Sequence, residues 1–172
     1  MTNYYIDASA LVKRYTREPG STWVLQITES SAQHTILLAE ITLAEVAAAL
    51  AAKQRAPGGL TPLQGERILS RFLQDCVDHF LLLPVDRLDI DRAVELTQRY
   101  RLRGYDAVQL ATAIVTREAI QSHHLPSPVL VAADRDLLAA AGTEQLPTEN
   151  PLDHMALDAP ELASQQEHER SS

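Results

Sequence analysis

The chain has one cysteine, no apolar run of membrane-spanning length, no signal segment and no surplus of positive charge. A single thiol, Cys76, forms no internal disulfide and matches no metal-ligand spacing, so it reads as a small core side chain without a chemical role. Crossing a bilayer takes ~20 apolar residues, and runs such as Val46 to Ala52 are far shorter. The N-terminus lacks a basic segment followed by an apolar core of the kind that directs secretion. A cytoplasmic protein with no membrane partner is expected. What is present is ordinary for one soluble domain: 172 residues, 45% hydrophobic and 22% charged.

The net charge of -8 argues at first against a nucleic-acid partner, because affinity for a phosphate backbone comes mostly from lysine and arginine. Its distribution changes that reading. From Glu144 onward seven acids face one base, whereas residues 1–143 hold 16 acids and 14 bases. If several of the body's acids share one pocket, the remaining surface is slightly positive. Its bases group at Lys13, Arg14 and Arg17 and again at Arg99, Arg101 and Arg103. A nucleic-acid substrate is permitted by the charge, not demanded by it.

Strand-like apolar runs alternate with helical segments. Tyr4 to Ile6, Thr35 to Ala39, Phe80 to Val85 and Val129 to Ala132 read as strands. Ser9 to Tyr15 reads as a short helix ending near Pro19-Gly20, with Ser21 as N-cap of the next. Alanine-rich Ile41 to Arg55 is strongly helix-forming and stops at Pro57-Gly58-Gly59. Thr61-Pro62 supplies an N-cap followed by proline at the first helical position, opening a helix to about Val77. Asp89 to Leu102, Tyr105 to Glu118 and Asp134 to Ala141 complete the helices. There is no internal repeat. Short apolar strands alternating with helices predict a three-layer α/β/α sandwich with a mainly parallel central sheet. Residues after about Pro151 are polar and charged, and are expected to form a weakly ordered extension.

In such a sheet, ligands bind outside the carboxyl ends of the strands. Asp7 directly follows the apolar YYI, and Asp134 follows VLVAA. Asp106 opens a helix after Gly104-Tyr105, and Glu45 lies in the helix after TILLA. Each of the three aspartates reads equally well as a helix cap. Glu45 does not: its helical neighbours Ile41, Thr42, Ala48 and Ala49 are small or apolar, and an unpaired buried carboxylate is costly. Taken together, a cluster of like charges needs compensation. Two carboxylates ~5 Å apart repel by roughly 3 kcal/mol at an effective dielectric near 20. A divalent cation removes the conflict, and an all-oxygen set favours Mg²⁺ or Mn²⁺ over zinc. His34, His123 and His124 stand outside this constellation and read as structural or exposed.

The segments YYIDASALVKRY with the following EPGS, ITLAEVAAAL, LRGYDAVQLATA and LVAADRDLLAAA, in that order, resemble PIN-domain ribonucleases. Among these the chain is similar to the VapC-type toxins of type II toxin-antitoxin modules. The likeness spans about residues 3–154, and LPTENPLDH is similar to where such domains stop. It implies a PIN-like nuclease domain over 1–154 and a polar C-terminal extension over 155–172. By the same resemblance Asp7, Glu45, Asp106 and Asp134 form an acidic catalytic pocket. Asp7 and Asp106 are its direct Mg²⁺ or Mn²⁺ ligands, while Glu45 and Asp134 hold or orient the attacking water, a role split the sequence leaves open. Ser9 matches a supporting hydroxyl near the first aspartate, or it caps the short helix; Asp136 and Glu40 are supporting acids. Arg14, Arg17, Arg103 and Arg135 are flanking candidates for phosphate contacts. Gln109 stands where many relatives have histidine. The implied partners are an RNA substrate, a cognate antitoxin protein and a second copy in a homodimer.

Other readings fit less well. A haloacid-dehalogenase-type phosphatase needs a second acid two positions after the first, and Asp7-Ala8-Ser9 offers serine. A receiver domain needs paired acids in an early loop, which Asn3 to Asp7 does not provide. An interaction module could use the alanine-rich Ala44 to Ala52 and a groove near Trp23, Leu69, Phe72 and Leu73 to take a partner helix, but that leaves Glu45 unexplained. An RNA-processing nuclease that is not a toxin would share the same chemistry.

Overall fold

The computed structural model describes residues 1–159. Its strands are β1 (Asn3–Ile6), β2 (Thr35–Ala39), β3 (Leu81–Leu83), β4 (Val129–Val131) and β5 (Thr148–Glu149). Its helices are α1 (Ala8–Leu11), α2 (Ser21–Thr28), α3 (Ile41–Arg55), α4 (Pro62–Asp78), α5 (Arg87–Arg99), α6 (Gly104–Ser122) and α7 (Arg135–Thr143). All strand pairs are parallel, in the order β3-β2-β1-β4-β5. Parallel neighbours cannot be joined by a tight turn, so each connection carries at least one helix.

Side-chain alternation divides the core into two halves. Tyr5, Leu37, Ala39 and Leu130 face a cluster built with Leu96 of α5, Leu110 and Ile114 of α6 and Leu137 of α7. Ile6, Ile36, Leu38 and Val131 face the opposite cluster, with Leu11 of α1, Ile27 of α2, Leu50 of α3 and Phe72 of α4. Strand residues of period two thus bury both faces, which makes the fold a three-layer α/β/α sandwich. Cys76 is buried in the second cluster, as its isolation predicts.

Local chemistry explains the starts of several helices. Thr61 and Gln64 form a reciprocal capping box with Pro62 at the first position of α4. Asp86 and Asp89 form another, so α5 begins two residues earlier than Asp89 and ends at Arg99, short of Leu102. The expected N-cap at Ser21 is corrected: Gly20 caps α2 with φ 86. A Cβ at Gly20 would lie 2.4 Å from the Pro151 carbonyl oxygen, so glycine is required by both conformation and space. The Ser21 hydroxyl instead accepts from the Glu18 amide at 2.9 Å and donates to the Thr16 carbonyl at 3.1 Å.

The chain after β5 differs from expectation. Pro151–Asp158 is a 3-10 helix lying against α2. The His154 ring stacks on Trp23 at 4.2 Å, and the Asp158 carboxylate accepts the amides of Gly20 and Thr22. The boundary expected at residue 154 therefore falls inside this 3-10 helix, because α2 supplies the Trp23 ring to His154 and backbone amides to Asp158. Residues 160–172, the rest of the expected extension, lie outside the described residues. No described helix is long and apolar enough to cross a membrane.

Candidate active site at the carboxyl edge of the sheet

The strand order puts the carboxyl ends of β2, β1 and β4 side by side. Asp7 follows β1, Glu40 follows β2 and Asp134 follows β4 after two alanines. Glu45 sits five positions into α3, and Asp106 is the third residue of α6. Helices that leave or approach this edge therefore deliver these acids to it.

The capping role and the site role of the aspartates turn out to be one arrangement. Asp7 Oδ2 accepts from the Ser9 amide at 2.9 Å and from the Ser9 hydroxyl at 2.5 Å. Asp134 Oδ1 accepts from the Asp136 and Leu137 amides at 2.8 and 3.0 Å. Asp106 Oδ2 accepts from the Arg103 amide at 3.2 Å. Each aspartate uses one oxygen to fix itself to the backbone, so its orientation is set before any ligand arrives. Ser9 does more than cap: its hydroxyl oxygen accepts the Ala133 amide at 2.9 Å and thereby ties the end of β1 to the end of β4.

Electrostatics join these carboxylates into one set. Asp7 is buried, at 5% exposure, and burial raises its pKa; the Ser9 bonds oppose the shift and the charge of Asp106 adds to it. Burial also pushes Glu45 up to about 7, with a Gln109 bond opposing and the charges of Asp7 and Asp106 adding. Asp106 is raised by its own burial and by Asp134 and Asp136, against the Arg103 amide and guanidinium. Asp7 and Glu45 thus share Asp106 as a like-charged neighbour, and Asp7 acts on Glu45 as well.

Asp106 sits between two zones. Inward lie Asp7 and Glu45; outward, Asp106, Asp134 and Asp136 line a cleft of about 220 Å³ with Arg101, Leu102 and Arg103. Among the described residues no three His, Cys, Asp or Glu side chains form a ready-made metal cage. The donor chemistry nevertheless fits a hard cation. Mg²⁺ is commonly bound by one or two carboxylates with water and substrate oxygens completing its shell. Asp7 and Asp106 are carboxylates of this kind, and Asp7 has no ion-pair partner among the described residues.

The supporting residues divide. Asp136 lines the cleft, and Glu40 is exposed at the start of α3 with no side-chain bond to the helix amides. Arg103 lines the cleft, and Arg135 is exposed as the first residue of α7. Arg14 is a correction. Its guanidinium donates to Asp75 Oδ2 at 3.2 Å and to Thr28 Oγ1 at 2.7 Å, and its side chain is 7% exposed, so it is an internal tie and not a free phosphate contact. An arginine near the end of a short helix looks exposed in sequence, but Asp75 sits 61 residues away and only the packing of α4 brings it close. Arg17 is exposed, and together with Arg14 it lines a separate, larger concavity of about 850 Å³ with Leu25, Met155 and Asp158. Neither belongs to the acidic cleft.

Two residues belong to the site that the sequence did not single out for it. Arg101 lines the cleft beside Arg103. Gln109 is fully buried and bonds to Glu45. Its signal was its place three residues after Asp106, on the same face of a helix.

A family model of the PIN domain matches residues 4–143. The chain belongs to the PIN-domain family. Solved structures with the same fold include the VapBC2 complex from Rickettsia felis bound to a promoter DNA fragment, with a TM-score of 0.56 and 14% identity over 87% of this chain and 98% of that one. A toxin-antitoxin complex from Klebsiella pneumoniae has a TM-score of 0.51 and 18% identity over 86% of this PIN domain chain and 97% of its own. The FitAB complex bound to a DNA fragment has a TM-score of 0.57 and 16% identity over 87% and 95% respectively. At these identities the likeness is one of fold. No curated protein matches the chain.

Proposed function

We propose that this PIN domain is a Mg²⁺- or Mn²⁺-dependent endoribonuclease and the toxin of a toxin-antitoxin pair. The observation that carries the reading is the run of acids at the carboxyl edge of the sheet: beyond their burial, Asp7 feels the charge of Asp106, Glu45 feels both, and Asp106 feels Asp134 and Asp136. Structural ion pairs do not look like this; an arrangement that awaits a cation does. PIN domains are generally nucleases, which supports the reaction class.

In this reading Asp7 and Asp106 hold the cation, each already oriented by backbone amides. A divalent ion there supplies Lewis-acid polarisation of a phosphodiester and a more acidic water. Glu45, with its elevated pKa of about 7, is suited to accept a proton from water near neutral pH. Asp134 and Asp136 orient what enters the cleft from its outer side. Arg101, Arg103 and Arg135 supply the positive charge that attracts a phosphate backbone and sets its register without reading bases. Single-stranded RNA suits a shallow cleft of this kind, since its backbone can bend into it. Kinship of fold with toxin-antitoxin complexes favours a protein antitoxin as partner, and the resemblance favours a homodimer.

The test is RNA cleavage by the wild type beside Asp7→Asn and Asp106→Asn, with Mn²⁺ and with chelator. Cleavage only by the metal-loaded wild type is expected; equal activity in all arms refutes the proposal. For the toxin role, induced expression should arrest growth and Asp106→Asn should relieve the arrest.

A further inference from the structure

We propose that Gln109 is a positioning residue that holds the Glu45 carboxylate in its working orientation. The inference deepens the nuclease reading above and rests on it.

Gln109 is 0% exposed and sits on the face of α6 one turn beyond Asp106. Its Nε2 donates to Thr42 Oγ1 at 2.9 Å and to Glu45 Oε2 at 2.5 Å, and its Oε1 accepts from the Tyr5 hydroxyl at 2.8 Å. A primary amide has two N–H donors and one carbonyl, so both donors and the acceptor are engaged. Thr42 and Tyr5 are also buried, at 0% exposure each. Nothing in this chain of bonds reaches solvent until Glu45.

The direction of the chain follows from chemistry. Hydroxyls donate or accept as required, but an ionised carboxylate only accepts. Glu45 therefore draws the amide nitrogen toward itself, which turns the amide carbonyl to Tyr5 and makes the phenol the donor. The return effect falls on Glu45. A glutamate side chain loses substantial rotamer freedom when held in one place, and a single bond to one oxygen removes the largest part of that freedom. With Oε2 tied to α6, Oε1 is left as the oxygen that can act on a substrate or water.

The placement argues against a merely local packing role. Tyr5 lies on β1 two residues before Asp7, Thr42 lies on α3 three residues before Glu45, and Gln109 lies on α6 three residues after Asp106. One amide thus couples the strand that leads into Asp7 with the helices that bear Glu45 and Asp106. A methionine in its place would fill similar volume, yet it would take this partner from two buried hydroxyls and from the half-buried Glu45 carboxylate.

The experiment is a double-mutant cycle of Gln109→Met and Glu45→Ala, read in two ways on the same four proteins. The first reading is steady-state RNA cleavage with Mn²⁺. Gln109→Met is expected to lower kcat ~10- to 100-fold, the usual range for losing an orienting partner, with KM changed less than about threefold. In the Glu45→Ala background the same change should cost less than about threefold more. The second reading is thermal unfolding without metal, where the loss in Tm from Gln109→Met should shrink clearly once Glu45 is already alanine. An active wild type with additive losses in kcat overturns the inference while leaving the nuclease reading intact. An inactive wild type defeats the nuclease reading; a thermal coupling would then place the failure there alone, and additive thermal losses would sink both.

Discussion

The hydroxyl of Ser9 donates to Asp7 Oδ2 at 2.5 Å while accepting the Ala133 amide at 2.9 Å. One oxygen atom therefore orients the most buried acid of the site and closes the seam between β1 and β4. Ser9→Ala removes both bonds. The stranded Ala133 amide costs about 1–3 kcal/mol, which for a chain of this size lowers Tm by roughly 3–10 °C. RNA cleavage should fall as well, since Asp7 loses its hydroxyl partner and keeps only backbone amides. Ser9→Thr preserves the hydroxyl and should retain most of both properties; calorimetry beside a cleavage assay checks the pair.

The metal-free protein should be more stable in mild acid than in mild base. Glu45 has its pKa raised in the fold from 4.5 to about 7, so the folded state binds the proton more tightly than the unfolded chain. The corresponding stability is fully present below the unfolded value and is lost as pH rises through the folded one. Because Glu45 is only half-buried, solvent screening reduces the effect to about 1 kcal/mol. Burial shifts Asp7 the same way, so it adds in the same direction. Thermal melts at about pH 5 and about pH 8 in chelator should differ for the wild type. Glu45→Gln should flatten that difference, and an unchanged slope would assign it to another group.

A single variant should change sign with metal. Without a divalent ion, Asp106→Asn relieves the repulsion that Asp106 exerts on Asp7 and Glu45, so it should melt no lower than the wild type and is expected to melt higher. With Mn²⁺ at ~100 times its Kd the wild type gains about 2.7 kcal/mol by binding the native state. The variant gains little and should then be the less stable of the two. Melting curves with and without Mn²⁺ decide this independently of any substrate.

Two arginines should behave in opposite ways. Arg14 and Asp75 form a buried pair, with side-chain exposures of 7% and 10%. Arg14→Ala leaves Asp75 without its cation and should destabilise by about 3–5 kcal/mol. Arg103 is exposed at the cleft, so Arg103→Ala should change stability by less than about 0.5 kcal/mol. It should instead weaken RNA binding and reduce the salt dependence of log Kd by about 0.7 per lost phosphate contact. Denaturant melts and binding titrations at several salt concentrations separate the two.

Much of this molecule was determined by its sequence alone, wherever local chemistry was enough. The run TILLA and the helix Ile41–Arg55 fall where their composition places them, and Thr61-Pro62 opens α4 through its capping box. An acid directly after an apolar strand has few places to go, so Asp7 and Asp134 were legible as residues of the sheet's carboxyl edge. Tertiary structure decided the rest. The two residues of β5 are too few to show periodicity and exist as a strand only by pairing with β4. Arg14 became an internal tie, and Asp158 a cap for α2, because partners from distant segments reach them. Gln109 acquired its place beside Glu45 in the same way, 64 residues apart along the chain. Hydrophobic patterning and capping are properties of neighbours in sequence; a bond between distant side chains exists only once the strand order and helix packing have brought them within about 3 Å of each other.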